Sequence, residues 1–385
     1  MKLHKNIRLL TWFNFFLDLR FFGPVAILYF TQISGSFALG MSIFSTTMLF
    51  AALFEIPTGV FSDMAGRKKT VIFGAIASII SLTLYAIGIN YWFLFAGAVL
   101  EGLARSFFSG NNDALLHDSL REVNQTKAFS EFLGKTSSTA QVALTITAVI
   151  GSVIANWSYT WVMWLSVLPS LVCLWLSLKL VEPAIQKEES ENFIFHIKKA
   201  LILYRENNRL KLLSLASIID FAKGEASYLF RSAFIETLWP VWAIGLSSMV
   251  ANGGAAISFY FSGKWIKRFG ELKILVTREL FTLVSNLLAL VFPNITSPII
   301  LSSSSVFFGV GMVSMNTLMQ KEYSEEQRST MGSMNALAGS ITFTIIASCL
   351  GLMADLLSPA KALLILQVLI IFPLWIYRRL SKPAR

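Results

Sequence analysis

The sequence has 385 residues and a formal net charge of +10, yet only 14% of its residues are charged and 55% are hydrophobic. Soluble domains ordinarily carry about 25% charged residues. This shortfall excludes an ordinary soluble enzyme and indicates an integral membrane protein.

Apolar blocks of membrane-spanning length follow one another along the chain. They are Leu9–Phe30, Leu39–Phe61, Val71–Ile89, Trp92–Gly110, 129–155, 159–181, 210–232, 238–263, 273–292, 297–319, 331–357 and 360–380. Each is near the roughly 20 residues that a helix needs to cross a hydrocarbon core of about 30 Å. Because lipid offers no partner for backbone amides, we predict twelve transmembrane helices in an all-α fold.

Basic residues are distributed unevenly among the connecting loops. With a cytoplasmic N-terminus, most of the 32 Lys and Arg residues lie in or beside cytoplasmic loops, and we count Arg278 among them. The positive-inside rule therefore places both termini in the cytoplasm. We expect a multi-pass protein of the inner (plasma) membrane. Contact of its loops with anionic lipid explains the positive charge, and no nucleic-acid partner is expected.

The segment at 182–209 interrupts the apolar pattern. It contains Pro183 and a charged run at 186–191, followed by apolar residues at helical spacing between Phe193 and Tyr204. This pattern predicts a cytoplasmic linker with an amphipathic helix at the membrane surface. The predicted domains are therefore an N-terminal six-helix bundle at 1–181, the linker at 182–209 and a C-terminal six-helix bundle at 210–385.

A glycine-containing loop follows the second apolar block. Its fixed positions are Gly59, Asp63, Gly66, Arg67 and Lys68. A decayed copy, which keeps Gly263 and Gly270, follows the eighth block. We infer an internal duplication, as many transporters show. The glycines of the first loop are expected to allow close helix approach and a sharp turn.

This loop resembles the hallmark cytoplasmic loop of the major facilitator superfamily, and it stands between spans two and three, as in that family. The resemblance covers essentially the whole chain. It implies two pseudo-symmetric six-helix bundles that work by alternating access. It also implies a conformational latch, in which Asp63 at a helix N-terminus and Arg67 hold the outward-facing state. A solvated turn with topology-setting basic residues is the alternative explanation.

Charged side chains occur inside several predicted spans, where each costs at least about 2.5–3.5 kcal/mol. They are Asp18, Arg20, Glu55, Glu101, Arg105, Asp220, Lys223 and Glu225. Glu101 and Arg105 stand in the favourable order for an ion pair one helical turn apart. We assign the set to a substrate cavity and to proton coupling, since the resemblance places such groups on spans one, four, seven and ten. Mutual pairing that only holds helices together is the alternative.

The sequence contains no catalytic histidine cluster, phosphate-binding loop or metal-ligand spacing, so we expect neither an enzyme nor a cofactor. A receptor or scaffold is possible, but intramembrane charges and the latch motif favour transport. We predict a monomeric secondary transporter in the lipid bilayer that couples proton flow to efflux of an amphipathic or drug-like small molecule. Symport or facilitated uptake of a metabolite is the second hypothesis, because span five lacks the Gly-Pro motif usual in the family's proton-coupled exporters.

Overall fold

The structure, a computed structural model, describes residues 2–122, 129–183, 204–323 and 328–381. These residues form helices joined by turns, with no β-strand among them, which confirms the predicted all-α fold. The predicted linker helix falls largely on residues 184–203 and lies outside the described residues.

The α-helices follow the apolar blocks closely. In chain order they are α1 Lys2–Leu17, α2 Ala26–Ser34, α3 Phe37–Ala65, α4 Arg67–Ile87, α5 Tyr91–Phe108, α6 Asn111–Glu122, α7 Phe129–Ala155, α8 Tyr159–Leu178, α9 Asn208–Ile235, α10 Ile244–Phe269, α11 Glu271–Val291, α12 Ser297–Ser303, α13 Phe308–Glu322, α14 Arg328–Leu356, α15 Pro359–Leu366 and α16 Ile371–Leu380. Short 3-10 segments lie at Gly23–Val25, Val241–Ala243, Ser304–Phe307 and Gln367–Ile370. The first, tenth and twelfth predicted spans are therefore each interrupted by a 3-10 segment.

Eight helical segments of the described chain are long and apolar enough to cross a membrane. The other predicted spans differ from them in identifiable ways. The first is broken after α1, and the fourth and seventh carry intramembrane charges. The fifth lies partly outside the described residues, and only its end, Thr139–Ala155, qualifies as a shorter apolar helix. The count of twelve spans stays a prediction.

Polar caps and glycine turns set several helix ends. Before α5, the side-chain oxygen of Asn90 accepts hydrogen bonds from the backbone N–H groups of Trp92 and Phe93 at 3.0 and 3.3 Å. Such a cap typically contributes about 1 kcal/mol. Between α3 and α4, Gly66 has a φ of +98°, and between α10 and α11, Gly270 has a φ of +79°. The decayed copy of the loop thus keeps the same glycine-dependent turn.

Gly59 corrects one expectation from the sequence. A Cβ atom at this position would meet no described atom within 4 Å, so the expected close helix approach does not occur there. Gly59 is exposed on α3. The close approach lies instead at Gly102 of α5, where a Cβ would come within 2.8 Å of the Thr47 carbonyl oxygen and the Ala51 nitrogen of α3. A side chain there would force the two helices apart.

The chain divides into two compact units. One consists of Met1–Lys187 with Pro240–Leu246, and the other of Glu188–Trp239 with Ser247–Arg385. Each unit has an apolar core of its own. The first core includes Phe13, Leu115 and Cys173, and the second includes Leu275, Met315 and Tyr377. The predicted domain bounds remain predictions.

Candidate functional site

The first predicted span is a broken helix. α1 ends at Leu17, residues 18–22 are not helical, and α2 begins only at Ala26. Pro24 explains the break, because its ring lacks an N–H donor and would clash with the carbonyl group one helical turn before it. The Arg20 Nε atom donates to the Leu17 carbonyl oxygen at 3.3 Å. This hydrogen bond gives a partner to one of the carbonyl groups left free at the end of α1. Broken helices are common features of transporter binding sites.

Two helices of the first unit, α7 and α8, pack against the non-helical backbone of this break. The Phe22 backbone N–H donates to the Ser166 Oγ atom of α8 at 3.2 Å. On α7, a Cβ atom at Gly151 would lie only 1.9 Å from the Phe21 carbonyl oxygen. Gly151 therefore provides the space in which the non-helical backbone lies, and Ser166 gives one of its N–H groups a partner, as a backbone inside a membrane protein requires.

Glu101 of α5 is the centre of a buried charge cluster beside the break. Its Oε1 atom accepts from Arg20 Nη1 at 2.5 Å and from Arg105 Nη2 at 2.8 Å. Its Oε2 atom accepts from the Tyr85 hydroxyl of α4 at 2.9 Å. The predicted Glu101–Arg105 ion pair is therefore present, and Arg20 and Tyr85 join it. With two cations and one hydroxyl around it, Glu101 is held as a carboxylate.

Asp18 lies in the break itself, and its carboxylate differs from that of Glu101. It makes no hydrogen bond and no ion pair with any side chain in the part of the chain that the structure describes. The residue is half-buried. One turn earlier on α1, the Asn14 Oδ1 atom accepts from Asn112 Nδ2 of α6 at 3.1 Å. The break thus combines an acid that forms no hydrogen bond or ion pair among the described residues with a nearby pair of amide side chains.

Glu55 lies on α3, two residues before Pro57, and is half-buried. Its carboxylate has no hydrogen bond or ion pair within the described residues, and it does not join the Glu101 cluster. Its backbone carbonyl accepts from the Thr58 hydroxyl at 3.2 Å. The sequence assigned Glu55 to the same cavity as Glu101, and the structure does not bring the two side chains together.

A second buried charge cluster lies in the other unit. The Lys223 Nζ atom of α9 contacts Asp220 Oδ1 at 3.2 Å and Glu279 Oε2 of α11 at 2.8 Å. Arg278 forms ion pairs with both Asp220 and Glu279. The Tyr377 hydroxyl of α16 donates to Asp220 Oδ2 at 2.5 Å. We call these four charged residues the quartet; its two acids and two bases neutralise one another, as buried charges require.

Arg278 corrects a second expectation. We counted it among the basic residues of a cytoplasmic loop, but it lies inside α11, and its side chain is only 16% exposed. Gly311 of α13 makes room for it, since a Cβ there would lie 2.4 Å from Arg278 Cδ. The adjacent, oppositely charged pair Arg278 and Glu279 within an apolar block was the sequence signal for this cluster, yet the predicted cavity included neither residue.

Glu225 is the remaining residue of the predicted cavity. It lies on α9, close after Lys223, and is half-buried. Further along α9, the Arg231 guanidinium lies 4.4 Å from the Tyr228 ring centroid and donates to Ser248 Oγ at 3.4 Å. The predicted cavity residues are thus distributed over both units, and in each unit the structure assembles one charge cluster.

The predicted latch loop has an acidic partner that the loop motif did not predict. Glu182 follows α8, and its two carboxylate oxygens accept from the backbone N–H groups of Arg67 and Lys68 at 2.6 and 2.8 Å. These donors belong to the first turn of α4, where the helix dipole favours a negative charge. A Cβ atom at Gly66 would lie 2.8 Å from Glu182 Oε1, so the glycine permits this contact.

Asp63 is exposed near the end of α3 and makes no hydrogen bond or ion pair within the described residues. Arg67 instead lies 3.5 Å from Asp118 of α6. The Asn111 side chain joins the same region, since it accepts from the Ser62 hydroxyl at 2.8 Å and donates to the Arg67 carbonyl at 3.2 Å. The latch role of Asp63 and Arg67 stays a prediction.

A helical chain with charge clusters inside two separate apolar cores defines a polytopic membrane protein of the transporter type. The family model of the Major Facilitator Superfamily matches residues 9–351, and the chain belongs to this family. It is a multi-pass membrane transporter.

Over 157 residues it is 30% identical to an uncharacterised transporter of Buchnera aphidicola from Schizaphis graminum, a stretch that covers 40% of this chain and 37% of that relative. The chain is thus matched to little more than a third of that relative's length.

Solved structures agree with this family. The chain superposes on the crystal structure of the nucleoside transporter NupG with a TM-score of 0.81 and 12% identity, over 100% of both chains. It superposes on a D-xylose–proton symporter with a TM-score of 0.78 and 12% identity, over 100% of this chain and 98% of the other. At this identity the similarity shows the fold alone.

Proposed function

We propose that this protein is a proton-coupled secondary transporter that works by alternating access, and that Asp18 is its proton-carrying group. One observation carries the proposal. Glu101, Asp220 and Glu279 are each bound by cations, whereas the carboxylate of Asp18, in the break beside the Glu101 cluster, forms no hydrogen bond or ion pair among the described residues.

A proton carrier must be ionised in one state of the transport cycle and neutral in another. Protonating Glu101 or Asp220 would remove a carboxylate charge that two cations share and leave an excess of positive charge beside it, which is strongly unfavourable. Asp18 can take up a proton without breaking any such pair. Because Asp18 lies in a non-helical break, its exposure to water changes when the break opens or closes. Exposure to water favours the ionised carboxylate.

The mode that the site supports best is uptake of a small polar molecule by symport. The groups around the break are hydrogen-bonding ones: Asn14, Asn112 and the half-exposed Arg105, whose side chain is 43% exposed. The two structural neighbours described as a nucleoside transporter and a D-xylose–proton symporter handle polar molecules, which agrees with this mode.

Efflux of an amphipathic or drug-like compound is the second candidate, and Glu55 favours it. This unpartnered acid lies on α3 next to Phe54, whose ring centroid is 5.6 Å from that of Phe50. An acid beside aromatic rings suits an amphipathic cation. The two candidates differ in the sign of coupling: symport moves substrate with the proton and antiport moves it against the proton.

Proteoliposomes containing the purified protein test the proposal. A panel of radiolabelled nucleosides, pentoses and a cationic dye is offered under a pH gradient imposed in either direction. We expect polar substrates to accumulate only when the proton gradient points into the vesicle. Asp18→Asn should abolish this accumulation and its pH dependence while substrate exchange at equal pH persists. Asp113→Asn, which changes an exposed acid of α6, is the matched control. Accumulation by Asp18→Asn that still follows the pH gradient would refute the assignment.

A further inference from the structure

A cavity of about 400 Å³ lies between α1 and α8 of the first unit, apart from both charge clusters. Its lining residues are Lys5, Arg8, Leu9, Trp12, Trp175 and Lys179. Of these six described residues, three are basic, two are tryptophans and none is acidic. We call this place the basic cavity. The transport mechanism proposed above makes no use of it.

Two helices, α1 and α8, form the walls of the basic cavity. The lining residues of α1 recur at helical spacing and so share one face of that helix, and Trp175 and Lys179 stand one turn apart on α8. The Lys179 Nζ atom lies 3.2 Å from the centroid of the Trp175 ring, a cation–π contact within the cavity wall. The two helices are packed together through their buried faces, where Cys173 Sγ lies 3.5 Å from the Phe13 carbonyl oxygen.

An exposed apolar row leads along α8 to this cavity. Its members are Trp164, Leu168, Leu171, Trp175 and Leu178, with exposed fractions between 41% and 56%. They follow one another at helical spacing and so form one face, which in a membrane protein contacts acyl chains. Trp175 belongs to both the row and the cavity, and tryptophan is the residue that favours the level of the lipid headgroups. The cations therefore stand at the headgroup end of a lipid-facing surface.

We propose that the basic cavity binds the phosphate headgroup of an anionic phospholipid, whose acyl chains lie along the apolar row of α8. Arg8 has the planar fork that binds two phosphate oxygens at once, and Lys5 and Lys179 act as point charges. A free phosphate or another soluble anion carries the same negative charge for these cations, but it has no acyl chains that would lie along the apolar row. The bound leaflet is the one on the side of the N-terminus, where basic pockets between helices recognise anionic lipids.

The test is a binding titration of the purified full-length protein in detergent, read by native mass spectrometry. The probes are phosphatidylglycerol, phosphatidylcholine with the same acyl chains, and inorganic phosphate. The double variant Arg8→Gln with Lys179→Gln should lower the affinity for phosphatidylglycerol by about tenfold or more, since each cation near an anionic headgroup contributes severalfold. Arg268→Gln with Lys267→Gln, which removes two exposed cations of the other unit, should change it less than twofold.

Two results would overturn the proposal. One is unchanged binding of phosphatidylglycerol by the double variant. The other is inorganic phosphate that binds as tightly as the lipid, which would make the cavity a site for a free anion. If the double variant proves less heat-stable in the absence of lipid, the single variant Lys5→Gln replaces it. That variant should still weaken phosphatidylglycerol binding severalfold, and no loss of affinity would count against the lipid site.

Discussion

Replacement of Glu182 by glutamine should loosen the start of α4. In the native protein each carboxylate oxygen accepts one backbone N–H, from Arg67 at 2.6 Å and from Lys68 at 2.8 Å. Glutamine keeps one acceptor oxygen but loses the charge and the second hydrogen bond. A charge at a helix N-terminus contributes about 0.3–1 kcal/mol, and one hydrogen bond about 0.5–1.5 kcal/mol. Because both bonds are exposed, we expect a net loss of about 1 kcal/mol.

Hydrogen exchange measures this loss where it occurs. A change of about 1 kcal/mol in local opening corresponds to roughly fivefold faster exchange. We therefore expect the backbone amides of Arg67 and Lys68 to exchange about fivefold faster in Glu182→Gln, followed by mass spectrometry of a peptide that spans the loop. Because exposed charges are screened by salt, part of the difference should disappear at 1 M NaCl.

The matched control is Glu206→Gln, which changes an exposed acid just before α9 in the other unit. Its exchange at Arg67 and Lys68 should equal that of the native protein. Unchanged exchange in Glu182→Gln would refute the capping argument. Equal acceleration in both variants would show that the effect comes from net charge and not from the helix terminus.

Three further predictions concern the latch, the topology and the quartet. Asp63→Asn should strongly reduce transport in proteoliposomes and leave the melting temperature unchanged; full transport would make the residue structural only. After Cys173 and Cys349 are replaced by serine, single cysteines should react with an impermeant reagent only from the cytoplasmic side at positions 67, 190, 268 and 382. Glu279→Gln should cost about 3–5 kcal/mol, because it leaves Lys223 and Arg278 to share the single carboxylate of Asp220 and so leaves one buried positive charge uncompensated. Thermal unfolding in detergent measures that cost, and an exposed change, Lys361→Gln, should leave the melting temperature within error.

The sequence predicts the helical fold well because hydrophobic length is a property of each block by itself. It also identifies Glu101 with Arg105, since one helical turn fixes their distance. Arg20 and Tyr85 could not be added from the sequence, because their contacts with Glu101 depend on how separate helices pack. The adjacent Gly23 and Pro24 were the sequence signal for the break in the first predicted span, yet the overall hydrophobicity of the block concealed it.

The prediction for the loop after span two identified the right place but overlooked one residue. The resemblance directed attention to Asp63, whereas the carboxylate bound at the start of α4 belongs to Glu182. A contact across 115 residues of chain has no local signature in the sequence. Arg278 was misplaced for a related reason: a cation near the end of an apolar block fits a loop equally well until packing shows that Asp220 and Glu279 surround it.

The break in the first span also bears on how the protein is made. The predicted first span carries Asp18 and Arg20, which oppose membrane insertion by about 2.5–3.5 kcal/mol each when they lack partners. The partner of Arg20 is Glu101, 81 residues further along the chain. At 5–20 residues per second, that partner emerges roughly 4–16 s later. We therefore expect the predicted first span to insert stably only once the predicted fourth span has been synthesised, so that the two segments insert together.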